Sequence, residues 1–167
     1  MKEICIFGHK NPDTDTILSA LILEGIEKTM GVHNAKAYRL GEINKETKYA
    51  LDYFGSKEPE LLEEVKEGQE VMLVDHNEFA QSVKGIEKAR ILRVVDHHKI
   101  ANFETHEPLF YLAMPVGCTA TILRDMCKVS GIKLDRVTAG LMLSSIISDT
   151  LLLKSPTCTE KDKETAE

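Results

Sequence analysis

Strand-like apolar runs alternate with helix-period stretches along most of this chain, and that alternation leaves few architectures open to it. EICIFG, AKAYRL, EVMLVDH and ARILRVVDHH read as strands, with PLFYLAM as one more. The stretches TDTILSALILEGIEKTMG, KETKYALDYFG, CTATILRDMCKVSG and DRVTAGLMLSSIISDT read as helices. In the first of these, Ile17, Ala20, Leu21 and Glu24 recur at helical spacing and Gly31 supplies a stop. The last is apolar enough to be largely buried. Strands this apolar are buried on both sides. The expected fold is therefore α/β, three-layered, with a mainly parallel sheet flanked by helices on both faces. A length of 167 residues suits one domain with a sizeable core. The tail reads as the opening of a further helix, since Thr159 is followed by Glu160 and Asp162.

Three of the strands end in residues that bind metals or move protons. The first runs into FGHKNPDTD, with His9, Asp13 and Asp15. The third ends in LVDHN, with Asp75 and His76, and the fourth in VVDHH, with Asp96, His97 and His98. A strand that served only the core would end in turn residues such as Gly, Asn or Pro. In a parallel sheet all three endings lie along one edge, where ligands of such folds gather.

Several carboxylates a few ångströms apart repel one another, and some take up protons unless cations are present. Divalent ions remove that conflict. Oxygen and imidazole donors without thiolate suit Mn²⁺, Mg²⁺, Co²⁺ or Fe²⁺ better than a structural zinc site. The donors exceed what one ion needs, so two ions sharing a carboxylate are expected, a pairing that favours attack on phosphoryl groups. Pro12 keeps HKNPDTD in a loop, from which Asp13 and Asp15 can reach the same side. Asp15 also stands where a helix N-cap would, which is its structural alternative. Asp149 falls at the C-terminal end of an apolar helix, where the helix dipole disfavours a carboxylate. Either a nearby cation or open solvent would compensate it. His33 and His106 have no such company and read as surface residues. The four cysteines, Cys5, Cys118, Cys127 and Cys158, form no CxxC pair and match no zinc spacing. They read as reduced core or near-surface thiols.

The motifs GHKNPDTD, VDHN, VVDHHKIANF, MPVGCTAT and SDTLLLKSPT, in that order, resemble the family II inorganic pyrophosphatases. These are members of the DHH phosphoesterase superfamily, named for the Asp-His-His triplet. The resemblance runs from Ile4 to Thr159. It implies metal ligation by His9, Asp13, Asp15, Asp75, His97 and Asp149, with Asp75 bridging two ions. It implies that His98 faces the substrate and assists the leaving phosphate, and that Asp96 orients an imidazole. Asp75 and His98 are thus the expected catalytic residues; His76 and Asn77 receive no firm role. Mn²⁺ is the implied activating ion, with Co²⁺ or Mg²⁺ as alternatives. The implied reaction is direct hydrolysis of pyrophosphate to two phosphates by a water or hydroxide activated between the ions.

The family also carries a C-terminal domain that brings Lys and Arg side chains to pyrophosphate, and no stretch here corresponds to it. Residues 1–167 are therefore expected to be the N-terminal metal-binding domain alone, able to hold metal but slow in turnover. Only a short segment separates Asp75 from Asp96, so the regulatory nucleotide-binding insert of some members is not expected. The resemblance further implies a homodimer formed through this domain by edge-strand pairing. The rival readings are another DHH phosphoesterase (an oligonucleotide or cyclic-dinucleotide hydrolase, or an exopolyphosphatase) and a non-catalytic metal-binding or partner-binding module. GHKNPD after the first strand lacks the glycine-rich dinucleotide fingerprint, which argues against a Rossmann-type binder. A formal charge of -6 gives no support to a nucleic-acid partner. No apolar run has the length of a membrane span and the N-terminus lacks a signal-peptide core, so a cytoplasmic protein is expected.

Overall fold

The computed structural model describes residues 2–167. Its centre is a six-stranded sheet in which every pairing is parallel: β1 (Ile4–Phe7), β2 (Ala35–Arg39), β3 (Glu60–Leu61), β4 (Glu70–Val74), β5 (Arg90–Asp96) and β6 (Phe110–Ala113). The spatial order is β3-β2-β1-β4-β5-β6. The chain grows outward from β1 through β2 and β3, then returns to the other side of β1 with β4. The order therefore reverses between β1 and β4, and parallel sheets open a crevice beyond the carboxyl ends of strands at such a point.

Alternation along the strands divides the core in two. Ile4, Ile6, Ala35, Ala37, Met72 and Val74 face α1 (Thr14–Thr29), α2 (Lys45–Phe54), α3 (Thr119–Val129) and α4 (Arg136–Asp149). Cys5, Phe7, Tyr38, Val71 and Leu73 face the other way, onto Val65, Val83 and Ile86. That second face is covered by two single 3₁₀ turns, Phe79–Gln81 and Ile86–Lys88, with their flanking loops. Helices are expected on both faces from the sequence alone; the structure corrects this, with α-helices on one face and only 3₁₀ turns and loops on the other, because the segments joining β4 to β5 and β5 to β6 form no α-helix. The sheet is wholly parallel rather than mainly so.

The local signals of the sequence act where they stand. Asn44 caps α2 and Gly55 ends it in the left-handed conformation. The two-residue edge strand β3 is too short to carry a periodic signal. An irregularity in register shifts β5 by one residue against β4 between Val71 and Met72, which brings Ile91 and Val94, three residues apart, onto the same core. The tail forms α5 (Glu160–Ala166), opened by Thr159 and Asp162 in a reciprocal capping box.

Candidate metal centre

The carboxyl ends of β1, β4 and β5 lie side by side, and each delivers its acids and imidazoles to the crevice. After β1 the chain turns at once into α1. A Cβ on Gly8 would come within 2.3 Å of Thr16, so only glycine lets the end of the strand approach the helix start this closely. Asp13, not Asp15, is the N-cap of α1: its Oδ1 accepts from Thr16 N at 2.9 Å. Asp15 lies within the first turn of α1 and is fully buried.

Asp75 follows β4 with φ 58, a left-handed conformation that Asp adopts more easily than most residues. Its two oxygens face opposite ways. Oδ2 lies 3.4 Å from His9 Nε2 and accepts from Thr16 Oγ1 at 2.7 Å. Oδ1 lies 3.1 Å from His97 Nε2 and accepts from Thr119 Oγ1 at 3.2 Å. The donor atoms of His9, Asp13 and Asp75 converge as one group. Those of Asp15, Asp75, His97 and Asp149 converge as a second. All six ligand positions read from the sequence fall in these two groups, and Asp75 belongs to both.

His9 Nδ1 lies 2.7 Å from Lys10 O, and His97 Nδ1 lies 2.9 Å from Val116 O. A carbonyl can only accept, so Nδ1 of each ring carries hydrogen. In the neutral ring Nε2 then keeps its lone pair and faces the carboxylates, as metal-binding histidines require. His98 differs: its Nδ1 bonds Asp96 Oδ1 at 2.7 Å, which leaves Nε2 as its free nitrogen on a ring 49% exposed. His97 Nε2 and His98 Nδ1 both approach Asp75 Oδ1, but His98 Nδ1 is already bonded to Asp96, whereas His97 Nε2 faces Asp149 and Asp15 as well, at 3.6 and 3.9 Å.

Asp15 is held by α3. The N-cap of that helix, Cys118, makes no side-chain capping bond. Instead Thr119 N donates to Asp15 Oδ2 at 2.8 Å, and Ala120 N and Cys118 Sγ approach Oδ1 at 3.4 and 3.1 Å. A carboxylate from α1 thus occupies the positive end of α3. Nothing in the local sequence of either helix announces this pairing. Asn77 was equally silent. Its Nδ2 donates to Asp96 Oδ2 at 2.8 Å and to Lys99 O at 2.9 Å, and its Oδ1 accepts from Ala101 N at 3.0 Å. It ties the loop after β4 to the loop after β5. His76 packs inward between Val74 O and Ser82 Oγ, and burial depresses its imidazole to about 4.

The electrostatics describe a site short of positive charge. Burial, with the charges of Asp15 and Asp75 added, pushes Asp149 up to about 10. Burial and the neighbouring Asp75 raise Asp15 to about 6. Burial alone would lower His9 and His97, yet the carboxylates around them raise them to about 11 and about 9. Burial alone would raise Asp75, but His9 and His97 hold it well below the usual carboxylate range. Protons therefore settle on Asp149, His9 and His97. Divalent cations would take over that neutralisation. Oxygen and imidazole donors in two groups sharing one carboxylate fit a pair of such ions.

Beside the two groups lies a cleft of about 180 Å³, lined by His9, Asp75, His76, Asn77, Glu78, Gln81, His98 and Lys99. Lys99 is its one lysine or arginine. The four cysteines are free. His33 and His106 are exposed, as read from the sequence.

Comparison with known proteins agrees with the fold. The family model described as the DHH family, N-terminal domain, matches residues 3–146. A manganese-dependent inorganic pyrophosphatase of Bacillus subtilis is 56% identical over 172 aligned positions, covering 100% of this chain and 55% of that protein. A crystal structure from Methanococcus jannaschii, described as a family II inorganic pyrophosphatase, superposes with a TM-score of 0.89 at 44% identity. It covers 98% of this chain and 54% of that one. An exopolyphosphatase-related protein of Bacteroides fragilis shares the fold, with a TM-score of 0.73 at 15% identity over 98% of this chain and 51% of its own. The chain spans about half the length of the curated relatives it matches.

Proposed function

The chain belongs to the DHH family, and from that premise we propose that it is the metal-binding domain of an inorganic pyrophosphatase. The observation that carries this reading is Asp75, whose two oxygens face the two donor groups separately. The names of relatives matching its whole length support the substrate and the metal. On this reading Mn²⁺ ions are held by His9, Asp13 and Asp75 and by Asp15, Asp75, His97 and Asp149. When bound, such ions polarise phosphoryl oxygens and lower the pKa of a coordinated water.

The side chains of the domain then have distinct tasks. Thr16 and Thr119 hold the two oxygens of Asp75 in place. Asn77 and Asp96 hold His98 at the cleft. The hydrogen bond that His98 Nδ1 donates to Asp96 is the main cause that raises His98 above the ordinary imidazole value. In its protonated form the ring has Nε2–H free to donate to the leaving phosphate. Lys99 contributes one positive charge beside the same cleft. Pyrophosphate carries more negative charge than Lys99 and His98 can balance, so the remaining cations come from the part of the relatives' length that this chain does not span. Turnover by residues 1–167 alone is accordingly slow.

The same reading includes a homodimer and a cytoplasmic setting. Strand β6 is an edge with β5 as its single neighbour and carries an exposed Phe110, which suits pairing with a second copy. Free buried cysteines accord with a reducing compartment.

The test is Mn²⁺ titration of this chain beside phosphate release from pyrophosphate and from a dinucleotide. Two bound ions with slow release from pyrophosphate support the reading. Failure to bind Mn²⁺ would sink it. Rapid turnover would overturn the account of the missing cations, and preference for the dinucleotide would point to another DHH phosphoesterase.

A further inference from the structure

Asp162 is completely buried although it belongs to the first turn of the seven-residue helix α5. A carboxylate in that position commonly closes a capping box at the surface and needs no more. This one receives four hydrogen bonds. Thr159 N and Thr159 Oγ1 donate to Oδ2 at 2.7 Å each, within the cap. The other two come from far along the chain: Gly117 N to Oδ2 at 2.8 Å and Thr121 Oγ1 to Oδ1 at 2.7 Å. Charge-assisted bonds from four donors offset the cost of burying the ion.

The segment so gripped is the one that holds the metal centre. Val116 O, beside Gly117, accepts from His97 Nδ1 and so sets which ring nitrogen is bare. Cys118, Thr119 and Ala120 direct their donors at Asp15, and Thr119 Oγ1 reaches Asp75. There is no slack at the junction. A Cβ on Gly117 would lie 2.9 Å from Asp162 Oδ2, 2.9 Å from Thr150 Cγ2 and 3.2 Å from Thr157 O.

We propose that Asp162 is a positioning residue for the metal centre: its buried carboxylate latches α5 to Gly117 and Thr121, and thereby fixes the orientation of His97 and Asp15. This rests on the metal-site reading given under Proposed function. Asp162 touches no donor of the site, and its effect passes through backbone geometry. The latch also makes the start of α5 part of the site's support, so a displacement of that helix would be felt at His97 and Asp15.

The experiment compares the full chain with Asp162→Ala and Asp162→Asn by Mn²⁺ titration and by the His97 Nδ1–H proton resonance of the metal-free protein. In Asp162→Ala, Mn²⁺ binding weakens by about tenfold or more, the scale of losing an outer support of a ligand, and the ring proton exchanges faster. In Asp162→Asn, the amide oxygen can accept from Gly117 N and Thr159 N while its NH₂ donates to Thr121 Oγ1. Affinity and ring signal therefore return close to those of the unsubstituted chain. A role in stability alone would lower the melting temperature and leave both readouts of the folded protein unchanged, and that result overturns the latch. So would equally weak binding by Asp162→Asn, because lost charge rather than lost geometry would then be the cause. Should Asp162→Ala not fold, Thr121→Val removes one bond and keeps the side-chain shape; it is expected to weaken Mn²⁺ binding less, in the same direction, and unchanged affinity would overturn the proposal. If the unsubstituted chain bound no Mn²⁺, the metal-site reading would fall, while an unaltered ring signal in Asp162→Ala would separately overturn the latch.

Discussion

His97 Nε2 lies 3.1 Å from Asp75 Oδ1, although one residue follows β5 and the other follows β4. Val74 pairs with Val95 and β5 runs only one residue further, so Asp75 and His97 emerge beside each other at the carboxyl edge of the sheet. The same carboxylate reaches His9 with its other oxygen at 3.4 Å.

Asp75 is therefore the position at which both donor groups fail together. Asp75→Asn is expected to abolish tight Mn²⁺ binding at both, since an amide brings no charge. The fold should survive, because Asn adopts the left-handed conformation as readily as Asp does. Calorimetric titration checks this: one ion bound with the affinity of the unsubstituted chain would show that the two groups are independent.

Metal should stabilise the domain by relieving the repulsion among Asp15, Asp75 and Asp149 that pushes the Asp149 carboxyl up. At a free Mn²⁺ concentration of a hundred dissociation constants, one site contributes about 2.7 kcal/mol. That corresponds to a rise of about 5–10 °C in melting temperature for a domain of this size. Scanning calorimetry with and without Mn²⁺, then with a chelator, reads it directly. An unchanged melting temperature would contradict a site assembled only in the folded state.

A second buried charge lies away from the centre. Glu27 on α1 is 2% exposed and faces Arg93 of β5 at 2.8 Å. Burial pushes this carboxyl up and the guanidinium draws it back. Arg93→Met should cost about 3 kcal/mol in urea denaturation, because it strands a buried acid. Adding Glu27→Gln to that variant should recover part of the loss, and additive losses would show that the pair is not coupled.

Asp162 should leave its mark on the acid limb of stability. Burial alone would raise its carboxyl, but the donors of Thr121, Thr159 and Gly117 hold it below the usual value. Its contribution is then complete above the unfolded value of about 3.9 and disappears as pH falls through the lower folded value. Asp162→Asn should flatten the stability profile below about pH 4. Denaturant titrations between pH 2.5 and 6 would test it, and parallel profiles would refute it.

Much of the arrangement was legible because it is written in neighbouring residues. Alternating apolar runs identify strands, and Gly55 and Thr159 mark helix ends by hydrogen bonds made within three or four residues. Asp13, Asp75 and His97 stand out because a core strand has no reason to end in them. The cap of α1 was less legible, since Asp13 and Asp15 are both suitable; the turn places Asp13 Oδ1 on Thr16 N and carries Asp15 into the interior.

By itself, then, the sequence determined the element types, the parallel sheet and the residue kinds gathered at its carboxyl edge, since periodicity and capping are local chemistry. Only the tertiary structure decided that Asp15 receives Thr119 N, that Asn77 joins Asp96 to Lys99, and that Asp162 grips Gly117. These contacts join separate elements, and in the Asp15 and Asp162 pairs the partners are 104 and 45 positions apart. No local preference encodes them: a buried carboxylate takes whichever donors the strand order and helix packing bring within reach.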